Sequence, residues 1–181
     1  LVPSFNVPHF EEHPEMKARE IASEVIARIA EYDFILVNFA NADMVGHTGN
    51  YAAAVKTVET LDVVLARLSE AILGAGVILL MTGDHGNVEQ KVNPMSGEPL
   101  TQHTVNPVPF YLVGNDYRRQ TERSEEEIRR MRKETGGILS DVAPTVLELI
   151  QLAKPPEMTR KSLLPILLRT ATNAPVVATP R

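Results

Sequence analysis

Three short stretches of this sequence carry side chains suited to metal chemistry. They are Asp43–Gly49 (DMVGHTG), Gly83–Asn87 (GDHGN) and His103–Thr104. Carboxylates and imidazoles are typical ligands of divalent cations such as Mn²⁺ and Zn²⁺. Two such ions about 4 Å apart can activate a nucleophile and stabilise phosphoryl oxygens during an in-line displacement. The stretches therefore predict most of a two-metal phosphoryl-transfer site, with five ligands in this chain: Asp43, His47, Asp84, His85 and His103.

The elements that must position these ligands can be predicted from hydrophobic spacing. Apolar residues at helical intervals indicate amphipathic helices over 14–31 and 50–74. The core stripe predicted for the second helix is Val55, Val58, Leu61, Leu65, Leu68 and Ile72. Short apolar runs predict strands at Phe34–Phe39, Val77–Met81 and Val108–Val113. Further helices are expected over 124–134, where Ser124 and Glu127 form a capping-box pattern, and over 139–152.

This order of elements predicts an α/β fold, a doubly wound layer with a mostly parallel sheet. Asp43 and His47 then follow the first strand directly, and Asp84 and His85 follow the second. Because ligands bind at the carboxyl ends of strands in open parallel sheets, both pairs are expected on one edge. His103 lies in the long loop before the third strand, which can fold back over that edge.

Each motif also has a simpler interpretation than metal binding. Asp, Gly and His in a polar loop are also ordinary turn residues, so neither the Asp43 motif nor the Asp84 motif is sufficient alone. Their combination with His103 favours a metal site. His9 and His13 have no partner motif and are interpreted as surface residues. Four polar residues could either orient the ligands or merely form turns, namely Asn38, Asn41, Thr48 and Asn87.

Bulk composition excludes several classes of protein. At 181 residues and 44% hydrophobic content the chain can bury a core, and we expect one domain over 1–169 followed by a flexible tail over 170–181. The net charge of −5 disfavours nucleic acid as a partner. The absence of Cys excludes disulfides and thiolate metal sites and fits a reducing, cytoplasmic location. No apolar run reaches the about 18 residues of a membrane span. The start on Leu1 rather than Met suggests a fragment.

Beyond these separate motifs, the sequence closely resembles the cofactor-independent phosphoglycerate mutases of the alkaline-phosphatase superfamily. The likeness covers roughly the first 165 residues, and DMVGHTG is its most specific part. The matching stretches are VPS at 2–4, PEM at 14–16, NFANADMVGHTG at 38–49, AAVKTVETLD at 53–62, TGDHGN at 82–87, HTVNPVP at 103–109, LSDVAPTVLELI at 139–150 and PPEMTRKSLL at 155–164.

The resemblance implies a fold, a reaction and a division of the ligands. The fold would be part of a three-layer α/β/α sandwich. Asp43, His47 and His103 would hold one Mn²⁺, while Asp84 and His85 would hold part of a second. The family interconverts 3- and 2-phosphoglycerate in glycolysis and gluconeogenesis through a phosphoserine intermediate.

The chain also departs from the family pattern. The resemblance begins past the nucleophilic serine, past an N-terminal Asp ligand and past the inserted domain that binds substrate, and Ser4 lies in a different context from that serine. No catalytic residue is therefore assigned in this chain. We expect the nucleophile in a missing N-terminal segment, which would be the partner of this one, and we expect the isolated chain to be inactive. The stretch 116–135 and the tail have no functional interpretation.

Two other hypotheses stay open at this point. The Asp-x-x-x-His and Asp-His patterns are shared by other phosphomutases and by phosphodiesterases of the superfamily, although the full wording of the motifs argues against them. Alternatively, the chain is a metal-binding module without catalysis. Mixed nitrogen and oxygen ligands do not fix the identity of the metal, because they accept Mn, Zn, Co or Fe.

Overall fold

The computed structural model describes residues 2–4, 7–119 and 121–169, so the predicted tail over 170–181 lies outside the described residues. The chain divides into two compact units, 1–115 and 116–181. The first contains α1 (Ala18–Arg28), α2 (Asn41–Gly46), α3 (Tyr51–Gly74), β1 (Leu79–Thr82) and β2 (Phe110–Val113). The second contains α4 (Glu125–Met131), α5 (Val142–Leu149) and α6 (Leu164–Arg169). The mixed α/β class is thereby confirmed.

The long central helix α3 agrees with its predicted bounds of 50–74. The side chain of Asn50 accepts a hydrogen bond of 3.0 Å from the Ala53 N–H, which starts the helix. Its buried face differs from the predicted stripe, however, because Val55 and Val58 are 42% and 47% exposed. The residues that are buried instead are Ala53, Ala54, Thr57 and Val64, together with the predicted Leu68 and Ile72. Small side chains let α3 approach α1, whose Ala18 and Ala22 form the core cluster with Val64.

Helix α1 is shorter than the predicted 14–31 because the residues before Ala18 form a turn that binds α2. Met16 has a φ of 39°, which is incompatible with a right-handed helix. The carbonyls of Pro14 and Glu15 accept hydrogen bonds of 3.0 and 2.8 Å from the buried side-chain amide of Asn41 in α2. The turn before α1 therefore holds α2 in place, and α1 begins at Ala18.

The sheet differs from the expected mostly parallel one. The predicted strands at Val77–Met81 and Val108–Val113 appear as β1 and β2, and they pair antiparallel with Leu79 opposite Val113. A parallel pair needs a crossover connection, usually a helix, whereas the connection between these two strands contains none. The chain instead turns back on itself, and Gly86 forms an isolated bridge with Thr104.

The predicted strand at Phe34–Phe39 is not paired with any strand of the described chain. Phe34 is 54% and Leu36 is 86% exposed, so the prediction of a buried strand is wrong for this structure. A strand needs a neighbour to satisfy its backbone groups, and the described residues provide none here. The three-layer sandwich is accordingly not assembled by the described part of the chain. None of its helices is long and apolar enough to cross a membrane.

The second unit is organised around Asp141, a residue of the short 3₁₀ turn Leu139–Asp141 that precedes α5. Its carboxylate accepts hydrogen bonds of 2.8 and 3.2 Å from the Arg160 guanidinium and one of 2.8 Å from the Ile138 N–H. These bonds, led by that from Arg160, hold the pKa of Asp141 below its usual value. The predicted helices over 124–134 and 139–152 are confirmed in shorter form as α4 and α5, and Ser124 caps α4 through the Glu127 N–H.

Two buried threonines allow a matched test of these contacts. The Thr145 hydroxyl donates to the Asp141 carbonyl at 2.7 Å and accepts from the Leu163 N–H at 2.8 Å, whereas the Thr57 hydroxyl has no partner among the described residues. Thr145→Val should lower the free energy of unfolding by about 1–3 kcal/mol, because two buried backbone groups lose their partner. Thr57→Val should be neutral or stabilising, since it removes only an unsatisfied hydroxyl.

Native-state hydrogen exchange of amides in α5 and α3 measures the two effects separately. An equal loss of stability in both variants would contradict the assigned roles of the two hydroxyl groups.

The depressed pKa of Asp141 predicts a pH dependence. The carboxylate stabilises the second unit above its unfolded pKa of about 3.9, and that stability is lost as the pH falls through the lower folded pKa. Asp141→Asn should therefore be less stable than the wild type at neutral pH, and the difference should shrink below about pH 4. Urea unfolding from pH 7 to pH 2 checks this, with the exposed Asp33→Asn as the carboxylate control. A difference that stays constant to pH 2 would rule out the linkage.

Candidate metal centre

The first predicted pair of ligands is presented by α2. Asp43 lies inside this helix and His47 directly follows its last residue, so the i, i+4 spacing places both side chains on one face. The His47 Nε2 atom is 3.2 Å from Asp43 Oδ1. The opposite face is anchored by Val45 and Asn41, which are at most 1% exposed. A short helix is thereby fixed firmly enough to hold two ligands.

The third ligand arrives on the connection that returns from β1 to β2. The Thr104 N–H donates to the Gly86 carbonyl at 2.9 Å, which draws the neighbouring His103 towards α2. His103 Nε2 lies 3.0 Å from Asp43 Oδ1 and 3.1 Å from His47 Nε2. Together with the 3.2 Å separation of the first pair, these distances form a nearly equilateral triangle of donor atoms.

The protonation of His47 is set by its other nitrogen. His47 Nδ1 lies 2.7 Å from the Thr101 carbonyl oxygen, which can only accept a hydrogen bond. In the neutral ring the proton is therefore on Nδ1, and Nε2 presents a lone pair to the triangle. This is the arrangement found for metal-binding histidines, whose second nitrogen donates to a carbonyl or a carboxylate.

His85 completes the cluster from the loop after β1. Its ring stacks on that of His103 with centroids 3.6 Å apart, and its Nδ1 is 3.9 Å from Asp43 Oδ1. That Nδ1 atom is buried and has no hydrogen-bond partner among the described residues. The ligand atoms of Asp43, His85 and His103 all lie within 4.8 Å of one another, so this trio is also a geometrically suitable metal site.

Asp84 is the one predicted ligand that stays outside the cluster. Its side chain is 90% exposed, and its Oδ2 is 3.6 Å from His85 Nε2. His85 thus has one nitrogen towards Asp43 and the other towards Asp84. The structure brings together Asp43, His47, His85 and His103. The division of ligands between two ions stays a prediction.

The electrostatics of Asp43 favour an ionised ligand. Burial by itself raises the pKa of Asp43, but the hydrogen bond from Asn87 and electrostatic attraction to the imidazoles of His47, His103 and His85 outweigh it, so the pKa lies below its usual value. The carboxylate is consequently negative under physiological conditions and can attract a cation.

Asn87 orients this carboxylate, which settles one alternative that the sequence left open. Its side-chain amide donates to Asp43 Oδ1 at 2.8 Å and to the Asp43 carbonyl at 3.2 Å. Behind it, the Lys91 ammonium donates to Asn87 Oδ1 at 2.6 Å. Burial lowers the pKa of Lys91, and the nearby carboxylates of Glu89 and Asp43 oppose that shift.

Sequence analysis missed Lys91 and Glu89. Glu89 accepts from the Asn87 N–H at 2.6 Å, from the Thr104 hydroxyl and from the Asn106 amide at 2.9 Å, so it joins the loops that carry His85 and His103. Burial raises the pKa of Glu89, but these hydrogen bonds more than offset it and leave the pKa lowered. Nothing in the sequence marks either residue, since a lysine and a glutamate in a polar loop usually face solvent.

The triangle of donors fits a divalent cation. Metal–ligand bonds of about 2.0–2.2 Å give separations of about 3.0–3.5 Å between neighbouring ligands, close to the separations observed. The side chains of His47, His103 and Asp43 are 42%, 47% and 35% exposed, so a further ligand can approach from solvent. Two nitrogens and one oxygen with an open side suit an ion that also contacts a substrate.

Comparison with known proteins agrees with this chemistry. Residues 1–154 match the family model of the metalloenzyme superfamily. The chain is 48% identical over 164 residues to the 2,3-bisphosphoglycerate-independent phosphoglycerate mutase of Desulforudis audaxviator, covering 91% of this chain and 30% of that protein. It is 46% identical over 164 residues to the Moorella thermoacetica mutase, covering 91% of this chain and 29% of that protein.

A solved structure shows the same relationship. The chain superposes on Leishmania mexicana phosphoglycerate mutase, crystallised at low cobalt concentration, with a TM-score of 0.71 and 28% identity over 88% of this chain and 30% of that one. The chain therefore spans only about 30% of the length of the relatives it matches. It belongs to the metalloenzyme superfamily and is homologous over most of its length to a segment of the 2,3-bisphosphoglycerate-independent phosphoglycerate mutases.

Proposed function

We propose that this chain is the metal-binding segment of a phosphoglycerate mutase that interconverts 3-phosphoglycerate and 2-phosphoglycerate. The observation that carries the proposal is the triangle of Asp43, His47 and His103, with donor atoms 3.0–3.2 Å apart. The triangle lies in a segment that is 48% identical to such a mutase. The proposal includes a cytoplasmic location, and a chain without Cys is compatible with such a reducing compartment.

Asp43, His47 and His103 would hold one ion, and His85 and Asp84 would contribute to a second. Bound there, divalent ions would neutralise phosphoryl charge and lower the pKa of a bound hydroxyl group. Mn²⁺ is our first choice of metal. Cobalt is also compatible with this donor set, and it is named for the Leishmania mexicana relative.

The residues of this chain have binding and orienting roles in the proposal. His47 presents its Nε2 lone pair because its other nitrogen is engaged by Thr101, and Asp43 presents a carboxylate held by Asn87. The phosphate-accepting nucleophile and the groups that recognise phosphoglycerate would come from the rest of a longer protein. The chain alone would bind metal without turning over substrate.

The partner of this segment would be the remaining part of that protein. The run Phe34–Phe39 has no strand neighbour among the described residues and exposes Phe34 and Leu36, and β-forming residues without a neighbour are suited to pair with added strands. Added strands beside this run would extend the fold towards the three-layer sandwich with a mostly parallel sheet. A TM-score of 0.71 to a chain about three times as long supports this completion.

Metal binding is the first test of the proposal. The wild-type chain should bind Mn²⁺ in a calorimetric titration. The double variant Asp43→Ala, His47→Ala should bind it more than about 100-fold more weakly, because losing two ligands costs more than losing a residue that only hydrogen-bonds to a ligand. His9→Ala removes an exposed imidazole outside the cluster and is the matched control. Equal binding by all three proteins would contradict the assignment of these ligands.

Mutase activity requires a longer protein, so a chimera tests it. Replacing the corresponding 164-residue segment of the Desulforudis audaxviator mutase with this chain should give an enzyme that converts 3- to 2-phosphoglycerate. His103→Ala in the chimera should lower kcat by at least about 100-fold, since a metal ligand is lost. The isolated chain should show no turnover. A folded, metal-loaded chimera without activity, or an active isolated chain, would contradict the proposal.

A further inference from the structure

The first unit contains a buried lysine, Lys91, directly behind the proposed metal centre. Lys91 is only 5% exposed, although lysine is rarely buried without a specific partner. Its ammonium donates to the Gly46 carbonyl at 2.8 Å and to Asn87 Oδ1 at 2.6 Å. Both acceptors lie next to the metal ligands, because Gly46 ends the helix that carries Asp43 and immediately precedes His47.

The ammonium determines which way the Asn87 amide faces. A lysine can only donate hydrogen bonds, so the Asn87 oxygen must point to Lys91 and the nitrogen must point away. That nitrogen then donates to Asp43 Oδ1 at 2.8 Å and to the Asp43 carbonyl at 3.2 Å. If the amide were flipped, the Asn87 oxygen would face Asp43 Oδ1, and these two acceptors would repel each other.

Close packing leaves the amide little other freedom. A Cβ atom at Gly46 would lie 2.5 Å from Asn87 Oδ1 and 2.7 Å from its Cγ, so the amide lies directly against the glycine backbone. The amide is therefore held on three sides, by Gly46, by Lys91 and by Asp43. Asn87 itself is 4% exposed, which shields these hydrogen bonds from competition by water.

We propose that Lys91 is a positioning residue that acts through Asn87 to fix the Asp43 carboxylate as a metal ligand. The hydrogen-bond acceptors of Lys91 are the Gly46 carbonyl and Asn87 Oδ1, and the second of these leads directly to Asp43 through the Asn87 amide nitrogen. The inference rests on the proposed metal centre. If the ammonium is removed, the Asn87 amide can rotate, and the Asp43 carboxylate loses its fixed orientation.

The orientation of the amide can be measured without metal. In a ¹H–¹⁵N spectrum of the metal-free chain, the Asn87 side-chain NH₂ signals should be shifted and protected from exchange with water. Lys91→Met should abolish the protection, while Lys56→Met, which removes an exposed lysine of α3, should leave it intact. An unchanged Asn87 signal in Lys91→Met would overturn the proposal.

A double-mutant cycle for Mn²⁺ affinity distinguishes positioning from a general structural role. Asn87→Ala and Lys91→Met should each weaken binding by about 10- to 100-fold, the range for residues that orient a ligand. The double variant should bind Mn²⁺ with the same affinity as the single variant that binds less tightly, because both substitutions act through one contact. Losses that multiply in the double variant, or unchanged affinity in Lys91→Met, would refute the relay. Thr145→Val controls for lost stability outside the first unit.

Two results would need a further comparison: a Lys91→Met variant that does not fold, and a wild-type chain that binds no Mn²⁺. If Lys91→Met does not fold, Lys91→Gln replaces it, and this shorter neutral donor should give amide protection and Mn²⁺ affinity between those of the wild type and Asn87→Ala. Wild-type values of both in Lys91→Gln would then overturn the role of the ammonium. If the wild-type chain binds no Mn²⁺, the proposed metal centre fails, whereas the metal-free amide measurement still decides whether Lys91 orients Asn87.

Discussion

The candidate metal centre depends on one carboxylate oxygen, at which α2 and two stretches of the connection between β1 and β2 meet. Asp43 Oδ1 lies 3.0 Å from His103, 3.2 Å from His47 and 2.8 Å from the Asn87 amide. Atoms with lone pairs repel one another at such distances unless a proton or a cation lies between them. With Nδ1 of His47 already protonated towards Thr101, a cation at the triangle would satisfy all three donors together. The surrounding hydrogen bonds hold Asp43 and His47 in this arrangement.

Four of the five residues that the sequence predicts as ligands lie together in the structure, because residue types and short spacings are local properties. The i, i+4 spacing of Asp43 and His47 survives any change of fold, provided that the segment is helical, and α2 is. The position of His103 also followed from the sequence, as a loop that folds back over the same edge. The structural cause differs from the predicted parallel sheet. His103 is brought next to Asp43 by the antiparallel pairing of β1 and β2 and by the Gly86–Thr104 bridge.

Other features could not be predicted because they depend on distant partners. The run Phe34–Phe39 has the composition of a buried strand, yet Leu36 is 86% exposed because the described residues offer it no neighbour. The burial of Lys91 is equally invisible in the sequence, since its acceptors are a helix-terminal carbonyl and an amide 45 and 4 residues away. The buried face of α3 was predicted only in part, because Ala53, Ala54 and Thr57 are buried where Val55 and Val58 were expected.

The close approach of the segments around the centre leaves no room for a side chain at Gly86. At Gly86 an added Cβ would lie 2.5 Å from Glu89 Oε1, where that carboxylate binds the Thr104 hydroxyl and the Asn106 amide. The loops that carry His85 and His103 can therefore approach only through a residue without a side chain. Lys91 and Glu89 have a similar role. Each forms hydrogen bonds to groups of neighbouring segments and contributes no ligand atom to the metal centre. Ligand identity is thus local, whereas ligand position is set by the contacts between segments.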